Sequence, residues 1–113
     1  MITKETVTDF FNDLDQKGDF DYSMPLLWGF FFLSSNLKQL KSLGTELEFK
    51  GYSFVDVFEA EMESKNEPQE YYLHLERVEI HSIASILERN EELYKVADKY
   101  SVEYDGFDVG QLE

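Results

Sequence analysis

Apolar and polar positions alternate along this chain with two different periods. Residues 3–17 carry Val7, Phe10, Phe11 and Leu14 at three- and four-residue spacing, which predicts a helix with one apolar stripe, and Gly18 follows as a stop. Asp19 to Ser23 reads as a polar loop. Leu26 to Leu33 is apolar at every position except Gly29, so it predicts a strand covered on both faces and hence central in its sheet. Pro25 stands just before it, where a strand tolerates proline. Ser34, Ser35 and Asn36 are helix-capping residue types, and Leu37, Leu40, Leu43 and Leu47 then mark a second helix that Gly51 ends.

Tyr52 to Met62 alternates, with Tyr52, Phe54, Phe58, Ala60 and Met62 on one side and Ser53, Glu59 and Glu61 on the other; Asp56 interrupts the apolar side. That predicts a half-buried strand. Residues 64–69 form a turn. Tyr71 to Ile80 predicts another strand, with Tyr71, Leu73 and Leu75 opposite Tyr72, His74 and Glu76. Ser82 caps a third helix whose inner stripe is Ile83, Ile86, Leu87, Leu93, Tyr94, Ala97 and Tyr100. Val102 to Tyr104 is a short last strand, and Asp105-Gly106 is a turn signal.

The predicted order is one helix followed by β-α-β-β-α-β. This is the ferredoxin-like, split βαβ arrangement, an α+β fold with an antiparallel four-stranded sheet ordered 4-1-3-2 and an extra N-terminal helix. The two crossover helices cover one face of such a sheet. Because the first strand is apolar on both sides, the N-terminal helix is expected to cover the second face, with a homodimer as the other way to do so.

Length and composition narrow the picture. The chain has 113 residues, which suits one domain over 1–113, and 16% of them are aromatic, too rich for disorder. There is no cysteine, so neither disulfides nor thiolate metal sites are available. Acidic residues number 24 against 10 basic, a net charge of −14. Phosphate binding needs a basic patch, so nucleic acid is excluded as a direct ligand, and anionic membranes are disfavoured by the same repulsion. The charge suits a basic protein partner. No targeting segment or spanning run is visible, which gives the expectation of a cytoplasmic protein.

Candidate chemistry is sparse. Asp13, Asp15, Asp19 and Asp21 with Gly18 imitate a calcium loop, but Lys17 falls on a ligand position and Met24 where a bidentate glutamate is needed. A helix end followed by an acidic loop accounts for them better. His74 and His81 are the only histidines, and no serine has nucleophile-elbow glycines around it. No catalytic residue, cofactor site or metal site is therefore assigned. Glu59, Glu61 and Glu63, with Glu76 on the neighbouring strand, suggest an acidic face on the hairpin, though edge-strand charges also serve to block unwanted pairing. The antiparallel order brings the start of the first strand to the end where the third and fourth finish. That places Asp19, Asp21, Glu79, His81, Asp105 and Asp108 at one end of the sheet as the candidate partner-binding set. Repulsion among these carboxylates should raise some of their pKa values unless a cation relieves it.

Several stretches together resemble the regulator of ribonuclease E activity B family. They are Met24-Pro25-Leu26 leading into Trp28-Gly29-Phe30-Phe31-Phe32, then Gly51-Tyr52, and then Tyr104-Asp105-Gly106-Phe107-Asp108-Val109-Gly110. The resemblance implies a small acidic α+β protein that regulates by binding, not by catalysis, with a ribonuclease or its scaffold as partner. Two other readings stay open on the sequence: a small-ligand-binding domain or enzyme on the same fold, and an inhibitor of a nuclease toxin.

Overall fold

The computed structural model describes residues 2–18, 21–64 and 66–112. Seven elements follow in the predicted order: α1 (Lys4–Lys17), β1 (Leu26–Ser34), α2 (Leu37–Phe49), β2 (Ser53–Glu59), β3 (Tyr71–Glu79), α3 (Ile83–Lys99) and β4 (Glu103–Gly110). The strands pair throughout as antiparallel neighbours in the order β2-β3-β1-β4, so β1 is central as its apolar run requires.

Local chemistry sets the helix ends. The Thr3 side chain accepts from the Thr6 N–H at the start of α1, and Gly18 closes it in the left-handed region at φ 65°, donating its N–H to the Leu14 carbonyl. Asn36 caps α2 through the Gln39 N–H. Ser82 and Ser85 form a reciprocal capping box on α3. Glu46 of α2 accepts from Lys99 and Tyr100 at the end of α3, tying the two crossover helices together.

Register divides the sheet into two faces. Trp28, Phe30 and Phe32 of β1 point one way, in register with Arg77, Leu75 and Leu73 of β3 and with Val109, Phe107 and Tyr104 of β4. This side carries the core, completed by Leu40, Leu43 and Leu47 from α2 and by Ile86, Leu93 and Ala97 from α3.

Three expectations are corrected. First, α1 does not cover the opposite face. Its Phe10 ring lies 4.9 Å from that of Phe107 and 6.2 Å from Trp28, and Phe11 lies 6.2 Å from Trp28, all on the core side. Trp28 and Phe107 present more ring surface than two helices cover, and α1 lies beside α3 to bury it. Among the described residues no helix lies on the second face of the sheet. Second, β4 does not stop at Tyr104. Asp105 is the extra residue of a β-bulge, because Phe31 pairs with Gly106 and Phe32 with Tyr104. Gly106 takes φ 150°, which glycine tolerates, and the strand runs on to Gly110. Third, β2 is mostly exposed, ends at Glu59, and is bulged at Val55. The bulge reverses the alternation, so Val57 joins Leu73 on the core side while Phe58 joins Tyr72 on the other. Among the described residues no helix is long and apolar enough to cross a membrane.

Phe11 is 3% exposed and shares the aromatic cluster with the single tryptophan. Phe11→Ala is therefore expected to cost roughly 3–5 kcal/mol by urea unfolding, with a red shift of Trp28 emission. An unshifted emission with unchanged stability would place α1 away from Trp28.

Candidate protein-binding surface

Two clusters emerge from the residues singled out in the sequence. The first is a latch at the end of β3. Glu79 is in register with Leu26, and its carboxylate accepts from Arg89 of α3 at 2.6 Å. It also lies 3.0 Å from His81 Nε2 and 3.6 Å from Arg77 Nε. The other His81 nitrogen shares a hydrogen bond with Ser85 Oγ at 2.9 Å. The buried His81 ring meets the Trp28 indole edge-on at 4.9 Å, and Trp28 Nε1 donates to the Glu79 carbonyl. Burial works against the Glu79 carboxylate, but hydrogen bonds from His81 and Arg89 outweigh it and hold its pKa below the ordinary carboxylate value. The expected repulsion is absent at Glu79, since Arg89 and Arg77 supply the cation from within the fold.

The remaining members of the candidate set do not join this latch. Asp21 accepts from the Ser23 N–H and hydroxyl in the turn before β1. Asp19 lies outside the described residues. Asp108 is in register with Gly29, and Asp105 sits at the bulge between the partners of Phe31 and Phe32. The two aspartates therefore lie along β4, which continues through its bulge to Gly110, and not at the end shared with Glu79. The aspartates of the apparent calcium loop are engaged locally: Asp13 pairs with Lys17 at 3.6 Å and Asp15 accepts from the Tyr22 hydroxyl.

The second cluster is the helix-free face. From β2 to β4 it presents Asp56 and Phe58, then Tyr72, His74 and Glu76, then Leu27, Gly29, Phe31 and Leu33, then Glu103 and Asp108. Phe31 and His74 stack with ring centroids 4.3 Å apart and planes 16° apart, and Phe58 stacks on Tyr72 at 5.4 Å. Asp105 belongs to this side as well. Burial raises the Tyr72 phenol pKa, and the Asp105 charge and a side-chain hydrogen bond with Asp105 raise it further. Gly29 is required here for space. A Cβ at that position would lie 2.4 Å from Asp108 Oδ1 and 2.7 Å from His74 Nε2, so both side chains lean over the bare backbone. Arg77 is the only lysine or arginine in the four strands, and it faces the helices.

A family model described as regulator of ribonuclease activity B matches residues 4–109. The chain belongs to the regulator of ribonuclease activity B family. Comparison with the curated proteins gives no match. The matched span runs from the first residue of α1 to one residue short of the end of β4, so the whole regulator fold lies within it. Membership makes this chain a regulator that works by binding protein, not a catalyst.

Sequence reasoning passed over one feature of the regulator fold. Asn90 is 2% exposed and accepts the Tyr104 hydroxyl at 2.7 Å, joining α3 to the start of the tyrosine–aspartate–glycine motif. Its place between Ile86 and Leu93 on the inner stripe was the available signal. The suggested acidic hairpin face is corrected. Glu59 pairs with Tyr71 on the core side of the sheet, whereas Glu76 is on the open side, because the bulge at Val55 changes the parity.

Glu46 is held at a pKa of about 2, chiefly by the Lys99 hydrogen bond and then by Tyr100, and Glu79 is also depressed. A carboxylate whose folded pKa is lowered stabilises fully above its unfolded value, about 4.3, and loses that contribution as pH falls through the folded value. Urea midpoints should therefore drop between about pH 4.3 and about 2. Glu79→Gln removes the closer of the two carboxylates paired with Arg89, leaving only Glu92 at 3.6 Å, and should lower stability by roughly 1–3 kcal/mol at neutral pH, with a shallower loss on acidification. A variant as stable as the parent would remove the latch from the account.

Proposed function

We propose that this protein is a non-catalytic regulator that acts in the cytoplasm, as one domain over residues 1–113, by binding a basic segment of a ribonuclease or of its scaffold. The observation that carries the reading is the family match over 4–109 taken with a net charge of −14. A surplus of carboxylates on a fold of this size favours fast encounter with a cationic protein and disfavours RNA, so control falls on the enzyme and not on its substrate.

Of the residues expected at the interface, Asp105 and Asp108 are exposed on β4 and suit it best. Asp21 is exposed in the segment before β1 and adds to the acidic surface there; Asp19 stays in the expected set on its charge alone. Glu79 and His81 contribute by holding the end of β3 in place, since their polar atoms are already engaged with Arg89 and Ser85.

The test is titration of a purified ribonuclease with this protein while RNA cleavage is followed. Cleavage is expected to slow as a complex forms. The association rate should fall steeply as salt approaches physiological strength, where the Debye length is about 8 Å. The protein alone should leave RNA intact. An affinity that does not change with salt, or cleavage of RNA by the protein itself, defeats the proposal.

A further inference from the structure

We infer that the helix-free face of the sheet is the docking surface and that its occupant is an extended, arginine-containing segment of the partner. This rests on the proposed regulatory role and names the site and chemistry through which it works.

The argument begins with what the face lacks. All three helices lie on the other side, so Phe31, Phe58 and Tyr72 are partly or largely open to solvent, and Val78 is 51% exposed. A patch of this kind on a small protein marks an interaction site. Its charge then selects the occupant. Asp56, Glu76, Glu103, Asp105 and Asp108 contribute five carboxylates, and the strands contribute no lysine or arginine to this side. A second copy docking face to face would bring two such sets of carboxylates together, so self-association is opposed.

The dimensions of the face suit an extended segment. Four strands at about 4.8 Å spacing and roughly eight residues at about 3.3 Å each give a face near 19 Å by 26 Å, or about 500 Å². The face spans roughly eight residues of extended chain, which a strand-like segment can follow along its whole length.

The aromatic pairs select arginine over lysine. The Phe31–His74 and Phe58–Tyr72 stacks lie among the carboxylates, and a planar guanidinium can lie on a ring while its edge donates to an adjacent carboxylate. An ammonium on a flexible stem makes one of these contacts at a time.

The experiment compares two variants of equal charge. One neutralises the face: Asp56→Asn, Glu76→Gln, Asp105→Asn and Asp108→Asn. The other neutralises exposed helix positions: Glu48→Gln, Glu88→Gln, Glu91→Gln and Asp98→Asn. Each is titrated with labelled hexa-arginine and hexalysine peptides, and circular dichroism checks the fold. The parent should prefer the arginine peptide by about threefold or more. The face variant should lose about tenfold or more in affinity for it, with the helix variant within about threefold of the parent. Amide shifts on the parent should map to β1, β3 and β4. Equal losses in the two variants would overturn the address while leaving regulation through diffuse charge in place. A parent that binds neither peptide would overturn the proposed basic partner segment, and with it this inference, while the family membership stands. A dimer seen by sedimentation, and shifted by the face variant alone, would give the surface to a second copy and overturn the inference.

Discussion

The burial of Trp28 organises this molecule. The indole is fully enclosed, with Phe10 and Phe11 of α1 on one flank, Phe107 of β4 beside it and the His81 ring edge-on. A residue that large cannot be covered by two crossover helices that also have Phe30, Phe32, Leu73 and Leu75 to enclose. The third helix therefore joins the other two, and the opposite face of the sheet is left open as a consequence. The free surface follows from the demands of the core.

The same residue explains how charge is distributed. The Trp28 N–H reaches the Glu79 carbonyl, so the end of β3 is fixed close to α3, and the Glu79 side chain meets Arg89 in a partly dehydrated setting. Charges there are neutralised within the fold and serve stability, because a buried anion without a partner is costly. On the helix-free face the carboxylates meet no cation from the strands. They keep their hydration and their field, which is the condition for long-range attraction of a cationic partner. An acidic protein of this kind thus divides its carboxylates between internal ion pairs and an outward-directed set.

Backbone irregularities decide which side chains reach that face. One extra residue at Val55 moves Phe58 to the open side and Val57 to the core. Another at Asp105 lets β4 continue past Tyr104, so that Phe107 and Val109 reach the core side while Asp108 reaches the other. With a period of two, each bulge reverses the destination of every residue beyond it. Gly29 adds a third irregularity by leaving room for Asp108 and His74 to converge from flanking strands.

Much of this was determined by the sequence alone. The apolar stripe of α1, the doubly apolar run of β1, the leucine spacing of α2 and the capping serine of α3 are local patterns, and local patterns fix element type, order and the central place of β1. The acidic surplus and the resemblance in the glycine- and aromatic-rich stretches pointed to a regulator that binds protein. Tertiary structure alone decided which face α1 covers, because amphipathicity says that a stripe is buried and not against what. It also decided that Glu79 and His81 are internal while Asp105 and Asp108 are exposed. A bulge has no periodicity of its own to read, and Asp105-Gly106 suits a turn as well as it suits an extra residue in a strand. Only the pairing of β4 with β1 distinguishes the two, since hydrogen bonds to a neighbouring strand, absent from the linear pattern, hold the backbone extended through that glycine.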